Sequence, residues 1–385
     1  MPASVQSFGL STKIFFGIEA LRELPAIGKD FGNKVLVVSG KHSATENGAL
    51  RRVGNLLSEA GFSATVFAEV EPEPSLATVS KGIALARKQE ADWVVGLGGG
   101  SAMDAAKAVA GLFRAGREIE DYFGGEPIEA SGLPLVTIPT TAGSGAEVTV
   151  NAVLSDPDRG IKQSIRGQDL AARAAIVDPQ LTFSLPAEIT AYSGLDALVQ
   201  AIEAFTSRGS NPLTDIYAIA AIEKIGANLL RAVQDPQNVP ARTEMALGSL
   251  MAGVALTNAR LGAVHGLAHA IGIRTGKPHG LVCAALLIPV MRFNMQVSYE
   301  KYAQMSKALG HNIAGMDPID AAAMGIKTMM NLLKKLGIPP HISSLGINET
   351  DLPEIVETSL QSGSLKANPR EASREHLLNI LQENF

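Results

Sequence analysis

The residues best suited to bind a metal lie in the second half of the chain. Asp196 and Gln200 are four residues apart, so on a helix their side chains share one face. His265, His269 and His279 follow, and the first two of these have the same spacing. A carboxylate with imidazoles is a common donor set for zinc or ferrous iron. The pattern indicates a divalent metal site, and hydrogen-bonded core histidines are the alternative.

A glycine-rich turn in the first half is suited to bind phosphate. Residues 96–101 (GLGGGS) lie between a predicted strand and a predicted helix. Glycines let a ligand approach the backbone closely, and a helix start offers free N–H groups with a positive dipole end. Ser101 and Asp104 have the spacing of a capping box, which predicts that Ser101 begins the helix. By itself the turn fits pyrophosphate binding and an ordinary tight turn equally.

A second polar turn, residues 140–145 (TTAGSG), follows the strand that ends at Pro139. It offers hydroxyl groups and flexible backbone at the carboxyl end of a predicted parallel strand, where open α/β sheets bind ligands. A Ser/Thr/Gly surface loop is the alternative for one such turn. Two of them at neighbouring strand ends favour a nucleotide.

Alternating strands and helices position these turns. Short β-branched runs predict strands at residues 34–39, 63–70, 92–96 and 134–139. Helical spacing of apolar residues predicts helices at 49–60, 75–89 and 102–113. Such alternation is typical of a doubly wound parallel sheet. We therefore expect a Rossmann-like α/β dinucleotide-binding domain over residues 1–186.

Beyond Pro186 the pattern becomes helical. The predicted helices are residues 187–207, 211–234, 240–258, 262–273, 282–294, 299–309, 318–336 and 374–383. Few strand signals interrupt them, so we expect an all-α domain over residues 187–385 that carries the metal and the substrate.

Composition excludes several other classes of protein. A chain of 385 residues favours two domains, and 46% hydrophobic with 18% charged residues suits a globular fold. A net charge of −5 without a Lys/Arg cluster argues against nucleic-acid binding. The single cysteine fits a reducing compartment, and neither a signal peptide nor a membrane-spanning run is recognisable. We expect a cytoplasmic protein with no membrane partner.

Four motifs, in this order, resemble the iron-containing alcohol dehydrogenase family over nearly the whole chain. They are GLGGGSAMDAAK at 96–107, PTTAGSGAEVT at 139–149, the segment 177–205, and GAVHGLAHAIG with KPHG in 262–280. The resemblance implies a dehydroquinate synthase-like architecture and a homodimer. It also implies an NAD(P)-dependent, metal-dependent alcohol dehydrogenase or aldehyde reductase for a small alcohol, diol or aldehyde.

The resemblance further implies roles for single residues. Asp196, His265 and His279 would bind iron or zinc, and His269 would face the nicotinamide and relay the substrate proton. The residues that would line NAD or NADP are Gly98, Gly99, Gly100, Ser101, Asp104, Thr140, Thr141 and Ser144.

Gln200 departs from the family, which usually has a histidine there as the fourth ligand. A glutamine carbonyl is neutral and a weaker donor than imidazole. Three arrangements are open: Gln200 binds through oxygen, it stands off and leaves three ligands, or the metal is lost. We expect one of the first two, with zinc favoured over iron. Cys283 replaces a common asparagine and is interpreted as a small packing residue.

A second departure concerns the cofactor. Many relatives place an aspartate after the first strand, where it binds the adenosine ribose hydroxyls and repels a 2′-phosphate. Gly40 takes that position here and Lys41 follows, which predicts a preference for NADP over NAD. A turn glycine beside an exposed lysine is the alternative.

Other functions fit parts of the sequence. A glycerol-dehydrogenase-like enzyme or a metal-independent reductase shares the superfamily fold but matches the motif after Pro179 less well. A dehydroquinate-synthase-like lyase needs a basic cluster, and the segment between the cofactor and metal motifs offers a basic pair, Lys162 and Arg166. A catalytically inactive binding protein is supported by Gln200 alone.

Overall fold

The computed structural model describes residues 5–41, 43–129 and 131–385. Their contacts divide the chain into Leu10–Leu185, here called the α/β unit, and Pro186–Phe385, here called the helical unit.

The described residues before Leu10 belong with the helical unit, although the sequence assigned them to the α/β domain. The Phe8 ring stacks on the Tyr217 ring with centroids 5.7 Å apart. The Gly9 N–H donates to the Asn258 side-chain oxygen at 2.8 Å. An aromatic stack and a pair of side-chain hydrogen bonds therefore attach this segment to helices that come much later in the chain.

Eight strands lie among the described residues of the α/β unit. They are β1 (Lys13–Phe16), β2 (Lys34–Gly40), β3 (Ser63–Val70), β4 (Trp93–Gly98), β5 (Leu135–Pro139), β6 (Asn151–Asp156), β7 (Ile161–Arg166) and β8 (Ala174–Val177). Six form one parallel sheet in the order β1-β8-β5-β4-β2-β3, and β6 pairs antiparallel with β7. The four predicted strands are present as β2 to β5, whereas β1, β8 and the β6–β7 hairpin were not predicted.

Helices cover both faces of this sheet. They are α1 (Leu24–Gly28), α2 (Ser43–Glu46), α3 (Ala49–Glu59), α4 (Leu76–Lys88), α5 (Gly100–Leu112) and α6 (Ile119–Phe123). Side chains of a strand alternate between faces, so Leu36 of β2 packs with α4 and α5 while Val37 packs with α3. Burial on both faces confirms the doubly wound α/β fold.

The sheet has a topological switch point between β2 and β4. The chain leaves β2 for β3 on one side, then returns to β4 and proceeds to β5 on the other. Ligands of open α/β sheets bind at such a point, beyond the carboxyl ends of the strands. The turns that follow β2, β4 and β5 all lie at this edge because the strands are parallel.

The helical unit contains eight α-helices among its described residues. They are α7 (Ala187–Thr206), α8 (Pro212–Gln234), α9 (Val239–Ala259), α10 (Ala263–Thr275), α11 (His279–Ala308), α12 (Pro318–Lys335), α13 (Leu352–Leu360) and α14 (Arg374–Gln382). The predicted helices at 282–294 and 299–309 are one continuous helix, α11, with Pro289 inside it. Helix α13 was not predicted.

Helix α11 has the length and hydropathy of a membrane span, and 72% of its most apolar window is buried in the protein. Helices α9 and α10 pass the same test only together, and they meet at 104°. A mostly buried apolar helix of this kind is what the core of a globular domain contains.

Gly280, in the first turn of α11, allows a close approach to α7. A Cβ atom there would overlap the Tyr192 carbonyl oxygen and lie 3.3 Å from the Asp196 Cβ. The absence of a side chain at Gly280 therefore sets the distance between Asp196 on α7 and His279 on α11.

We expect Gly280→Ala to destabilise the protein, since forcing atoms into a packed contact costs about 1–3 kcal/mol. The thermal midpoint should fall by about 5 °C. Gly54→Ala is the matched control, because a Cβ at this helical glycine of α3 meets no atom within 4 Å. It should raise the midpoint slightly, as alanine favours helix by up to about 1 kcal/mol. Equal midpoints for the two variants would contradict the packing argument.

Candidate metal centre and nucleotide-binding turns

The turn after β4 differs from the predicted capping box. Helix α5 begins at Gly100 with Gly99 as its N-cap, and no described side chain caps it. Ser101 is already inside the helix, and its hydroxyl accepts from the Glu73 N–H at 3.2 Å. The capping prediction is wrong because the glycines bend the chain before Ser101 is reached: Gly98 has φ +147°. The first amides of α5 are thereby left for a ligand.

The two polar turns lie side by side, as the sequence predicted. The Thr140 N–H donates to the Gly98 carbonyl at 2.9 Å. A Cβ on Gly100 would lie 2.9 Å from the Ser144 hydroxyl oxygen, so only glycine lets the turns pack this closely. The expected cofactor residues brought together here are Gly98, Gly99, Gly100, Ser101, Thr140, Thr141 and Ser144.

Asp104 and Lys107 fix α5 to the chain that follows the second turn. Asp104 accepts from the Val153 N–H at 3.2 Å and lies 3.3 Å from the Lys107 ammonium. Lys107 is fully buried and also donates to the Thr149 hydroxyl at 2.6 Å and the Asn151 carbonyl at 2.8 Å. Three acceptors match the three N–H groups of an ammonium ion. The Asp104 carboxylate thus supports the turns, and its contact with a cofactor stays a prediction.

Gly40 and Lys41 lie at the switch point of the sheet. Gly40 is the last residue of β2 and pairs with Val70 of β3. The Lys41 N–H donates to the Val70 carbonyl at 3.2 Å, and the Lys41 side chain is exposed. An exposed cation therefore stands at the edge where ligands of this fold bind.

Three of the predicted metal ligands meet in the helical unit. Asp196 comes from α7, His265 from α10 and His279 from the start of α11. The Asp196 Oδ1 lies 3.3 Å from the His265 Nε2 and 3.8 Å from the His279 Nε2. Asp196 and His265 are buried, yet the Asp196 Oδ1 and the His265 Nε2 have no hydrogen-bond partner among the described residues. Burying polar atoms in this way is costly, and a cation between them would satisfy both. The residues fit a divalent metal.

Cys283 joins the same group of atoms. The donor atoms of Asp196, His265, His279 and Cys283 all lie within 4.8 Å of one another. Cys283 is one helical turn after His279 on α11, and its Sγ lies 3.5 Å from the His279 Nε2. Burial raises the pKa of the Cys283 thiol to about 11.

Gln200 sits beside the aspartate. Its side-chain N–H donates to the Asp196 Oδ2 at 3.0 Å, on the carboxylate oxygen opposite the one that faces the histidines. The Gln200 Oε1 is buried and has no hydrogen-bond partner among the described residues. The Gln200 amide therefore orients the Asp196 carboxylate through Oδ2. The other carboxylate oxygen, Oδ1, is left to face the two histidines.

Glu203 orients the imidazole of His265. One carboxylate oxygen accepts from His265 Nδ1 at 2.6 Å and the other from the Val264 N–H at 2.7 Å. Because a carboxylate only accepts, the Nδ1 of a neutral His265 carries the proton and Nε2 presents its lone pair to Asp196. Burial opposes protonation of His265, but Cys283, Asp196 and Glu203 raise its pKa well above 6.5.

His269 lies next to this group of donor atoms but is not part of it. It is one turn after His265 on α10, it is half-buried, and its ring stacks on His279 with centroids 5.4 Å apart. Its predicted role beside the nicotinamide stays a prediction.

Comparison with known proteins identifies the family of this chain. The family described as "Iron-containing alcohol dehydrogenase" matches residues 11–179. The description "Fe-containing alcohol dehydrogenase family, C-terminal" matches residues 190–385. The chain belongs to the iron-containing alcohol dehydrogenase family.

Individual relatives support this assignment over nearly the whole length of the chain. The chain is 37% identical to 1,3-propanediol dehydrogenase of Klebsiella pneumoniae over 92% of each of the two sequences. It is 32% identical to lactaldehyde reductase of Escherichia coli (strain K12), covering 96% of this chain and 97% of that one. The crystal structure of a 1,3-propanediol oxidoreductase superposes with a TM-score of 0.96 at 34% identity, covering 99% and 100% of the two chains. The fold is the dehydroquinate synthase-like one expected, and the activity is that of an alcohol or aldehyde oxidoreductase.

Two residues of the candidate metal centre were not among the predicted ligands. Cys283 was interpreted as a packing residue, although its spacing of four from His279 places both on one helix face. Glu203, seven residues after Asp196, shares that residue's face of α7, but its partner His265 lies on another helix. Only the packing of α7 against α10 reveals the contact.

We expect Glu203→Ala to weaken zinc binding by about 10–100-fold, the usual cost of removing the outer partner of a metal-binding histidine. The variant should also unfold at lower temperature, because each orphaned buried donor costs about 1–3 kcal/mol. Competition with a chelator measures the affinity. Glu223→Ala, at an exposed position of α8, is the control. A folded Glu203→Ala protein that binds zinc like the parent would show that Glu203 does not orient the ligand.

Proposed function

We propose that the protein is an NAD(P)-dependent, metal-dependent alcohol dehydrogenase or aldehyde reductase that acts on a small alcohol, diol or aldehyde. The observation that carries the proposal is a pair of buried atoms, Asp196 Oδ1 and His265 Nε2, that have no hydrogen-bond partner among the described residues and face each other at 3.3 Å with His279 beside them. A structural role would have left these atoms hydrogen-bonded.

The helical unit would hold the metal through Asp196, His265 and His279. A divalent ion held there acts as a Lewis acid that polarises the substrate oxygen. Glu203 keeps the His265 lone pair directed at the site, and Gln200 keeps Asp196 in position. These supports reduce the rearrangement that binding would otherwise require.

The α/β unit would hold the nicotinamide cofactor, which supplies the hydride chemistry. The first amides of α5, which no described side chain caps, are suited to the pyrophosphate. The Ser101, Thr140 and Ser144 hydroxyls add donors at the same edge of the sheet. His269, half-buried beside His279, is the group proposed to move the substrate proton, because imidazole titrates near neutral pH.

The proposed substrates are short aldehydes that carry a second oxygen atom, and the corresponding alcohols. Two of the relatives are named for 1,3-propanediol and one for lactaldehyde, each a molecule of three carbons. A homodimer in the cytoplasm is proposed on the family resemblance and the cysteine content.

Removing the metal tests the proposed function. We expect chelation to abolish NAD(P)H consumption with short aldehydes, and added zinc or ferrous iron to restore it. His279→Ala should lower kcat/KM by at least about a hundredfold, since Lewis-acid polarisation supplies several kcal/mol. His341→Ala, at an exposed position, should leave it unchanged. Full activity in metal-free protein would contradict metal dependence, and absence of any net cofactor turnover would favour a lyase or a binding protein.

Cofactor preference is tested separately. No acidic residue occurs between Gly40 and Thr45, and Lys41 is exposed there, so we expect a higher kcat/KM with NADPH than with NADH. Gly40→Asp should shift that ratio towards NADH by at least about tenfold, equivalent to about 1.4 kcal/mol. Lys41→Ala should act in the same direction, and Lys88→Ala, an exposed lysine of α4, should not. A parent enzyme that prefers NADH would refute the idea.

A further inference from the structure

We propose that Cys283 is the fourth protein ligand of the metal and that Gln200, at the family's histidine position, supports Asp196 instead. This inference rests on the metal-dependent function proposed above. It concerns two departures of this chain, at positions 200 and 283, that the helical packing brings to one site.

Two distances within the group of four donor atoms match those of a coordination shell, and the Asp196 Oδ1 to His279 Nε2 distance of 3.8 Å is slightly longer. Bonds of about 2.0 Å to oxygen or nitrogen and about 2.3 Å to sulfur, at tetrahedral angles, place ligand atoms about 3.3–3.6 Å apart. The Cys283 Sγ lies 3.5 Å from the His279 Nε2, and the Asp196 Oδ1 lies 3.3 Å from the His265 Nε2. All four donor atoms lie within 4.8 Å of one another.

The atoms around the thiol also require a partner that the described residues do not provide. Asp196 is 6% exposed and His265 is 3% exposed, and the atoms they direct towards this group have no hydrogen-bond partner. Cys283 is completely buried beside them. The thiol therefore lies in the same buried polar group as the two atoms that a cation would satisfy.

The Gln200 side chain makes a hydrogen bond to Asp196. Its side-chain nitrogen, which cannot bind a cation, donates to the Asp196 Oδ2 at 3.0 Å. A histidine at this position would bring an imidazole to the metal, and its loss removes one ligand. The thiol of Cys283 replaces that ligand from the opposite helix, α11, so the number of protein ligands is kept at four.

A thiolate changes which metal the site prefers. When the sulfur binds, the thiol proton leaves to solvent, and the resulting ligand is softer than imidazole or carboxylate. An Asp–His–His–Cys set suits zinc, which accepts oxygen, nitrogen and sulfur ligands and can expand from four ligands to five when a substrate oxygen binds. We infer that this chain prefers zinc over ferrous iron more strongly than do members of the family whose metal is held by three histidines.

Cobalt(II) substitution tests the inference in the full-length protein. Cys283 is the only cysteine in 385 residues, so a thiolate-to-cobalt charge-transfer band in the near ultraviolet has one source. We expect the band in the parent and in Gln200→Ala, and its loss in Cys283→Ala. We also expect Cys283→Ala to weaken zinc binding in chelator competition by at least about tenfold. A thermal scan establishes that each variant is folded.

The double variant Cys283→Ala/Gln200→His keeps the test decisive if Cys283→Ala is unstable. An imidazole at position 200 should restore cobalt binding without the charge-transfer band. Cobalt bound by the parent without the band, or a band that persists in Cys283→Ala, would overturn the inference and leave the proposed function standing. A parent that binds neither cobalt nor zinc would overturn the metal dependence as well.

Discussion

A buried carboxylate and a buried imidazole face each other in the helical unit, and the cost of burying them governs the packing nearby. Asp196 and His265 are almost inaccessible to water, so each lone pair and each N–H must find a partner. Glu203 accepts a hydrogen bond from the His265 Nδ1, and the Gln200 side-chain N–H donates to one Asp196 oxygen. The Asp196 Oδ1 and the His265 Nε2 have no hydrogen-bond partner among the described residues, and a cation would satisfy both.

The site also requires α7 and α11 to approach each other closely, which explains the glycine at the start of α11. A side chain at Gly280 would push that helix from α7 and enlarge the gap between Asp196 and the residues that α11 contributes, His279 and Cys283. The polar turns of the α/β unit show a similar constraint at Gly100, where a Cβ would lie 2.9 Å from the Ser144 hydroxyl oxygen of the second turn. In both units a small residue sets the geometry and polar residues provide the chemistry.

Family-level chemistry was readable from local spacing. Helical periods placed Asp196 with Gln200 and His265 with His269, and buried runs followed by glycine placed the two turns at strand ends. Element ends were less well determined, because capping depends on backbone angles: Ser101 has the composition of an N-cap, yet the chain turns at Gly98. The strands β1 and β8 escaped prediction because each has only four residues, too short a run to specify a strand.

The sequence by itself determined the fold class, through its alternation of strands and helices, and the resemblance of its motifs to the family implied Asp196, His265 and His279 as candidate ligands. Only the tertiary structure decided which distant helices share the site. Glu203 meets His265, and Cys283 enters the donor group for which the sequence had offered Gln200 as one option, because α7, α10 and α11 pack together. Contacts between helices far apart in the chain depend on how side chains interlock, and that information is not local to any one segment.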